Sequence, residues 1–117
     1  MNGSDAARVR NCLAAIISAE ELAVSRLTQN LQSLRDQRDE LLHCPHTLDI
    51  MMRAGEERYR KVNLSRIGAE ITATENSRQA AAHGLAVLRQ KDDFVAAAER
   101  KARKRDEQRR ARRQGDD

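Results

Sequence analysis

The 117-residue chain has 34% charged residues, no Trp, one Tyr and one Phe, and most of its apolar residues are Ala and Leu. This composition is typical of long helices whose sides face water, and it argues against a thick aromatic core or an enclosed active-site pocket. The net charge of +4 is concentrated near the end, because residues 89–117 hold eleven basic and seven acidic residues while the earlier parts are nearly balanced.

The sequence also indicates in which cellular compartment the protein is expected. No run of residues approaches the roughly 18 consecutive apolar residues that a membrane-spanning helix needs. The N-terminus has no basic stretch followed by an apolar segment, so we expect no secretory signal. The two cysteines, Cys12 and Cys44, are expected toward opposite ends of one helix, where they cannot pair. We therefore predict a reduced, cytoplasmic protein without membrane insertion.

A first helix is predicted over about residues 5–43, since residues 6–43 contain neither Gly nor Pro. Ser4 or Asp5 could cap its start. Apolar residues recur at alternating spacings of four and three, which is the seam of a coiled coil. The seam positions are Leu13, Ile17, Glu20, Val24, Leu27, Leu31, Leu34, Arg38 and Leu41.

The only proline, Pro45, predicts a turn over residues 44–47, with Thr47 as the cap of a second helix. His43, Cys44 and His46 surround this proline. Side chains so close in sequence around a proline rarely reach tetrahedral geometry together, and no C-x-x-C or H-E-x-x-H motif accompanies them. We therefore predict a corner and not a metal site, and we expect no cofactor.

The second helix is predicted over about residues 48–112, with a disordered tail at 113–117. Its seam again alternates three and four: Leu64, Ile67, Ile71, Thr74, Arg78, Ala81, Leu85, Leu88, Asp92, Val95, Glu99 and Ala102. Nearer the corner another phase is predicted, from Met52, Gly55, Tyr59 and Val62. Glycines in this helix suggest local bending and not separate domains.

A short connection favours an antiparallel pair, so the predicted fold is a single all-α domain, a long two-helix coiled-coil hairpin. A corner centred on residues 45 and 46 would set Leu34 near Glu57, Leu27 near Leu64, Val24 near Ile67 and Leu13 near Arg78. The first helix would then end opposite about residue 85, and the C-terminal part of the second helix would overhang. Four apolar residues on it would have no partner within the chain: Leu85, Leu88, Phe94 and Val95.

Catalytic signatures are lacking. The carboxylates alternate with arginines at helical spacing, as in "RDQRDELL", which supports an exposed helix surface. A Gly-rich phosphate loop, a nucleophile elbow and a histidine base oriented by an acid are not found in the sequence. We predict a protein that is not an enzyme.

The basic C-terminal stretch "ERKARKRDEQRRARRQ" has three interpretations. It could be a solvated helix end, or it could bind the phosphates of a nucleic acid. Acidic residues within it, and the lack of an aromatic residue after Phe94, argue against stacking on bases. The third interpretation is docking to an acidic protein surface, with Phe94 and Val95 as the apolar anchor and the arginines as a polar rim.

This layout, and the A-E-R-K-A-x-K-x-D-E pattern from Ala98 to Glu107, resembles the FliJ and YscO/HrpO family of stalk proteins from flagellar and type III secretion export machines. The resemblance covers the whole chain in architecture and about 15 residues in motif. It implies a cytoplasmic protein that binds the hexameric export ATPase with its helix termini and helps to couple that ATPase to the export gate. Some members of the family also bind secretion chaperones.

The leading hypothesis is accordingly a non-enzymatic stalk component of such an apparatus. Two alternatives remain: a nucleic-acid-binding coiled coil that uses the basic helix, and a homodimeric helical-bundle chaperone or scaffold. The predicted partner-binding residues are Leu85, Leu88, Phe94, Val95, Arg100, Lys101, Arg103, Lys104 and Arg105.

Overall fold

The protein is an all-α, antiparallel two-helix hairpin, which confirms the predicted fold class. The computed structural model describes residues 2–43 and 50–115, and the side chains of α2 from residue 53 onward. Helix α1 spans Gly3–His43 and helix α2 spans Ile50–Gly115, with no strand among the described residues. The turn predicted at 44–47, including Cys44 and His46, lies outside the described residues.

Asn2 caps α1. The backbone amide of Asp5 donates a 2.8 Å hydrogen bond to Asn2 Oδ1, and the amide of Ala6 donates a 3.0 Å bond to the Asn2 carbonyl oxygen. Asparagine is among the best N-cap residues because its side-chain oxygen accepts from an amide that the helix leaves unpaired. The expectation that Ser4 or Asp5 caps the helix was wrong, since the first turn forms two residues earlier.

Helix α2 is continuous from Ile50 to Gly115, and no glycine within it has a positive φ. Residues 113–115, which we expected to belong to a disordered tail, are helical. Arg112 and Arg113 lie in the last turn, where positive charge interacts favourably with the helix dipole.

Every predicted seam position of both helices is buried or half-buried, so the predicted coiled-coil periodicity is confirmed. The phase change predicted near the corner was wrong, because Tyr59 and Val62 are 70% and 67% exposed. Half-buried positions there include Glu56 and Arg60, which lie at successive intervals of four residues before Leu64. These two side chains form an ion pair at 3.6 Å, so charged residues occupy positions that a hydrophobic pattern does not reveal.

The chain divides into two compact units, each containing part of both helices. We call Ala23–Ala81 the central unit, and residues up to Leu22 together with those from Ala82 onward the terminal unit. In the central unit, Leu31 and Leu34 of α1 form a buried cluster with Ile67 and Ile71 of α2.

The core of the terminal unit is built from smaller residues. Ala6 and Leu13 of α1 are buried with Val95 of α2, and Ile17 and Leu88 pack against this cluster. A Cβ built on Gly3 would lie 3.7 Å from the Cβ of Ala102, which is ordinary van der Waals contact.

The register between the helices differs from the one that a tight corner predicts. Leu34 clusters with Ile71 in place of Glu57, a displacement of about two heptads, and Leu13 clusters with Val95 in place of Arg78. The physical reason is that the observed register buries Leu34 and Leu13 with Ile and Val side chains, whereas the expected one would set these two leucines against Glu57 and Arg78. A shift by whole heptads leaves the seam phase unchanged, so the periodicity alone does not distinguish the two registers.

This register corrects the expectation about unpartnered residues. Leu85 and Val95 are 6% and 6% exposed, and Leu88 packs against the terminal core, so these three side chains are covered within the chain. The overhang of α2 is shorter than predicted, because Gly3 lies opposite Ala102 and only the last turns extend past it.

Replacing Ile67 should test the central core. Ile67 is 2% exposed, so Ile67→Ala should lower the free energy of unfolding by about 2–4 kcal/mol. Val62 is a matched control in the same unit, since its exposed side chain predicts a change below about 0.5 kcal/mol for Val62→Ala. Urea unfolding followed by circular dichroism measures both values. Equal losses would contradict the described seam.

Gly68→Ala should stabilise α2. A Cβ at Gly68 would meet no atom within 4 Å, so the change gains helix propensity without a clash. We expect a gain of about 0.5–1 kcal/mol in the free energy of unfolding. Gly115→Ala, at the last residue of α2, is the control and should have little effect. A destabilised Gly68→Ala variant would mean that this part of α2 is not regular helix.

Candidate docking surface on the terminal unit

The two flanks of the terminal seam differ in chemistry. Successive residues on a helix lie about 100° apart, so Val9 and Arg10 fall on opposite sides of the buried positions Ala6 and Leu13. The flank that carries Val9 is apolar, and the flank that carries Arg10 is charged. A surface with one apolar flank and one charged flank can bind a partner protein in a defined orientation.

The apolar flank contains a groove of about 440 Å³. Phe94 is 75% exposed and forms one wall, whereas Leu13 and Val95 belong to the buried core. We call this site the apolar groove; it is lined by Val9, Leu13, Val87, Gln90, Lys91, Phe94 and Val95. A large aromatic side chain held in the open beside an apolar depression is the type of residue that dominates binding energy at interfaces.

The charged flank is an ion-pair network that joins the helices. Arg10 of α1 contacts Asp92 at 3.5 Å and Glu99 at 3.1 Å, and Glu99 also accepts a 2.8 Å hydrogen bond from Arg103. The hydrogen bond from Arg10, followed by the one from Arg103, lowers the pKa of Glu99 below its ordinary value. The same contact with Glu99 raises the pKa of Arg10. On this flank the acidic side chains are already matched by bases of the same chain.

The basic stretch of α2 remains open to solvent. The five predicted basic residues are all exposed, and among the described residues only Arg103 of the five forms an ion pair. They are Arg100, Lys101, Arg103, Lys104 and Arg105. Residues 103–115 contain seven basic and two acidic residues, and every one is exposed. We call Arg100–Arg105 the basic segment.

Of the nine predicted partner-binding residues, the structure leaves six at the surface: Phe94 and the basic segment's five predicted residues. Sequence reasoning missed Val9, Ile16 and Val87, which are exposed on the same flank. A signal was present, since Val9 and Ile16 are seven residues apart, as are Val87 and Phe94. Pairs at heptad spacing beside a seam indicate a second apolar stripe.

The corner offers little chemistry in its described part. His43 is exposed, and its Nδ1 lies 2.8 Å from the carbonyl oxygen of Asp39. Across residues 2–43 and 50–115, no group of three His, Cys, Asp or Glu side chains could hold a metal ion. No described helix has an apolar stretch long enough to cross a membrane.

Comparison with known proteins gives no relative on which to base a function: no family model, curated protein or solved structure matches the chain.

Glu99 should make the stability of the terminal unit depend on pH. Because its folded pKa is lowered, its contribution is present above the ordinary glutamate pKa of about 4.3 and is lost as pH falls through the folded value. Glu99→Gln should therefore unfold at a lower temperature than the wild type at pH 7, and this difference should shrink at an acidic pH, as pH falls through the folded pKa of Glu99.

The control is Glu107→Gln, which changes an exposed carboxylate on the last turns of α2. Thermal unfolding at both pH values measures the difference between each variant and the wild type. If the Glu99→Gln difference were unchanged at low pH, the Arg10 and Arg103 contacts would not be its cause.

Proposed function

We propose that this chain is a non-enzymatic, cytoplasmic coiled-coil component of a type III secretion or flagellar export apparatus, which binds the export ATPase and couples it to the export gate. The observation that carries the proposal is the exposed Phe94 in the apolar groove, next to the solvent-exposed basic segment of the same helix. Both features lie on the terminal unit, where the family resemblance places the ATPase-binding end.

The surface has the two parts that a specific but reversible contact needs. An aromatic anchor in an apolar depression supplies most of the binding energy once water is excluded around it. Exposed lysines and arginines add little affinity, but they speed the encounter with an acidic surface and make it salt-dependent. A stalk that engages several subunits in turn requires such a contact, since tight binding to one subunit would prevent engagement of the next.

The rest of the chain fits a stiff connecting element. Its two helices have 41 and 66 residues, and charged side chains on them pair along the helix, as Arg66 does with Glu70 at 3.0 Å. Such i, i+4 ion pairs stabilise an exposed helix without creating a second apolar binding site. Binding of the export gate and of secretion chaperones remains part of this proposal through the family resemblance.

Phe94→Asp should abolish capture of the co-expressed hexameric export ATPase from the same cell. The exposed side chain makes few contacts within the chain, so the hairpin should keep its helical content and melting temperature. Loss of an aromatic hot spot predicts at least about 30-fold weaker binding, roughly 2 kcal/mol. Val95 is left unchanged in this variant, since it is buried and its replacement would damage the core.

Val62→Asp is the matched control, because Val62 is 67% exposed and lies in the central unit. It introduces the same charge on the same helix and should leave capture intact. Affinity purification followed by titration measures both variants. If Phe94→Asp still captures the ATPase at wild-type affinity, the proposed binding surface is wrong.

The exposed bases at residues 103–115 favour one other function, binding of a nucleic acid through its phosphates. This candidate predicts retention of random DNA at about 150 mM salt, with affinity falling steeply as salt rises. Phe94→Asp should not affect such binding, because phosphate contacts need charge and not an apolar anchor. An electrophoretic mobility assay on the same variants therefore separates the two functions.

A further inference from the structure

We infer that the apolar groove receives an amphipathic helix of the partner protein, and that this helix has acidic side chains along the part that lies over the basic segment. The inference rests on the proposed function in that the terminal unit binds a protein. It adds the secondary structure and the charge of the element that is bound.

The groove has the dimensions of a helix-binding site. Val9 of α1 lines one side, and Val87 and Phe94 of α2, seven residues and about 10 Å apart along the helix, line the other. Ile16, seven residues after Val9, continues the exposed apolar stripe of α1 beyond the groove. Leu13 lies between the walls as part of the buried core. An occupant that fills such a groove must place apolar side chains at intervals of three and four residues, which is how amphipathic helices bind.

The charge beside the groove selects an acidic occupant. None of the residues that line the apolar groove is acidic, and its one charged residue is Lys91. Residues seven apart lie on nearly the same side of a helix, so the line through Phe94 continues to Lys101 and the line through Lys91 continues to Arg105. No ion pair among the described residues involves these three bases.

Three acidic residues of the terminal unit are paired with a base of the other helix. Asp92 and Glu99 face Arg10 on the opposite flank, and Glu21 pairs there with Arg89 at 3.3 Å. The apolar side of α2 thus changes along its length from valine and phenylalanine to lysine and arginine. A complementary helix is apolar for about two turns and acidic over the next 10–16 Å.

The same charge pattern argues against a second copy of this chain in the groove. In a two-fold symmetric dimer that pairs groove with groove, the two copies of Lys91, which lines the groove, would lie near the symmetry axis. Like charges facing each other across an interface are destabilising. The partner is therefore a different protein, with the opposite charge next to its apolar stripe.

The test uses three fluorescently labelled synthetic peptides of about 18 residues, long enough for five helical turns. The first carries Leu at intervals of three and four in one half and Glu along the same face of the other half. The second has Lys in place of every Glu. The third has the composition of the first, with its leucines distributed around the helix. Binding to the full chain is followed by fluorescence anisotropy.

We expect the acidic peptide to bind at least tenfold more tightly than the basic one and the shuffled one, and to weaken as salt rises. Phe94→Asp should reduce its affinity at least tenfold, whereas Val62→Asp should not. Equal binding of the acidic and basic peptides, or equal binding of the shuffled peptide, would overturn the inference.

A charge reversal separates recognition from a structural effect. Lys101→Glu combined with Arg105→Glu should turn the preference toward the basic peptide, because both positions are exposed and no described ion pair depends on them. Lys61→Glu, an exposed change in the central unit, should leave the preference as it is. If the double variant still preferred the acidic peptide, the basic segment would not be what recognises the acidic face of that peptide.

Cys12 locates the bound peptide. It is exposed, three residues after Val9 and four before Ile16, and so on the same side of α1. In a Cys44→Ser background the acidic peptide should slow maleimide modification of Cys12 several-fold, and the shuffled peptide should not. Binding of the acidic peptide without protection of Cys12 would place it outside the groove and contradict the inference.

Two outcomes distinguish this inference from the proposed function. Phe94-dependent binding of the acidic peptide without capture of the export ATPase would reject that function and support the inference. Capture of the ATPase with no preference for the acidic peptide would support the proposed function and reject the inference. A molar mass that rises with concentration, and does so no longer in Phe94→Asp, would identify the occupant as a second copy and overturn the inference.

Discussion

The pairing of aliphatic residues across the two helices fixes the register of the hairpin, and the register determines which surface residues lie opposite each other. Leu31 and Leu34 are buried with Ile67 and Ile71 in the central unit, and Leu13 is buried with Val95 in the terminal unit. Sliding α2 by about two heptads would keep the seam facing inward but would set leucines against Glu57 and Arg78. The register that avoids these contacts also brings Arg10 to Asp92 and Glu99 and places Val9 in the same groove as Phe94. The ionic flank and the apolar groove are thus consequences of one alignment.

Periodicity made the seam predictable, and it could not give the register. The seam positions follow from local spacing, because a residue's side of a helix depends only on its neighbours along the chain. Register depends on pairs far apart in sequence, and heptad repeats offer several registers of equal phase. The cap at Asn2 and the half-buried pair of Glu56 and Arg60 were missed for a different reason. In both cases a polar contact, the Asn2 cap or the Glu56–Arg60 ion pair, determines the local structure, and hydropathy patterns do not describe such contacts.

In the candidate site, too, some residues follow from local sequence features and others depend on the register. Phe94 and the basic segment could be predicted, since a single aromatic residue and a run of bases stand out in any composition. Leu85 and Val95 were assigned wrongly to the binding surface because the assumed register left them without a partner, whereas the observed one buries them. The spacing of Val9 and Val87 indicates apolar stripes, but only the alignment of α1 with α2 shows that the two residues line one groove.

The small residues at the core of the terminal unit have a consequence for its dynamics. Ala6 and Ala102 bury much less apolar surface than the leucines and isoleucines of the central unit, and Gly3 adds none from a side chain. Local opening that costs less free energy gives faster amide hydrogen exchange, so the first turns of α1 should exchange sooner than the backbone around Leu34. The docking surface thus adjoins the part of the hairpin whose two helices separate most readily.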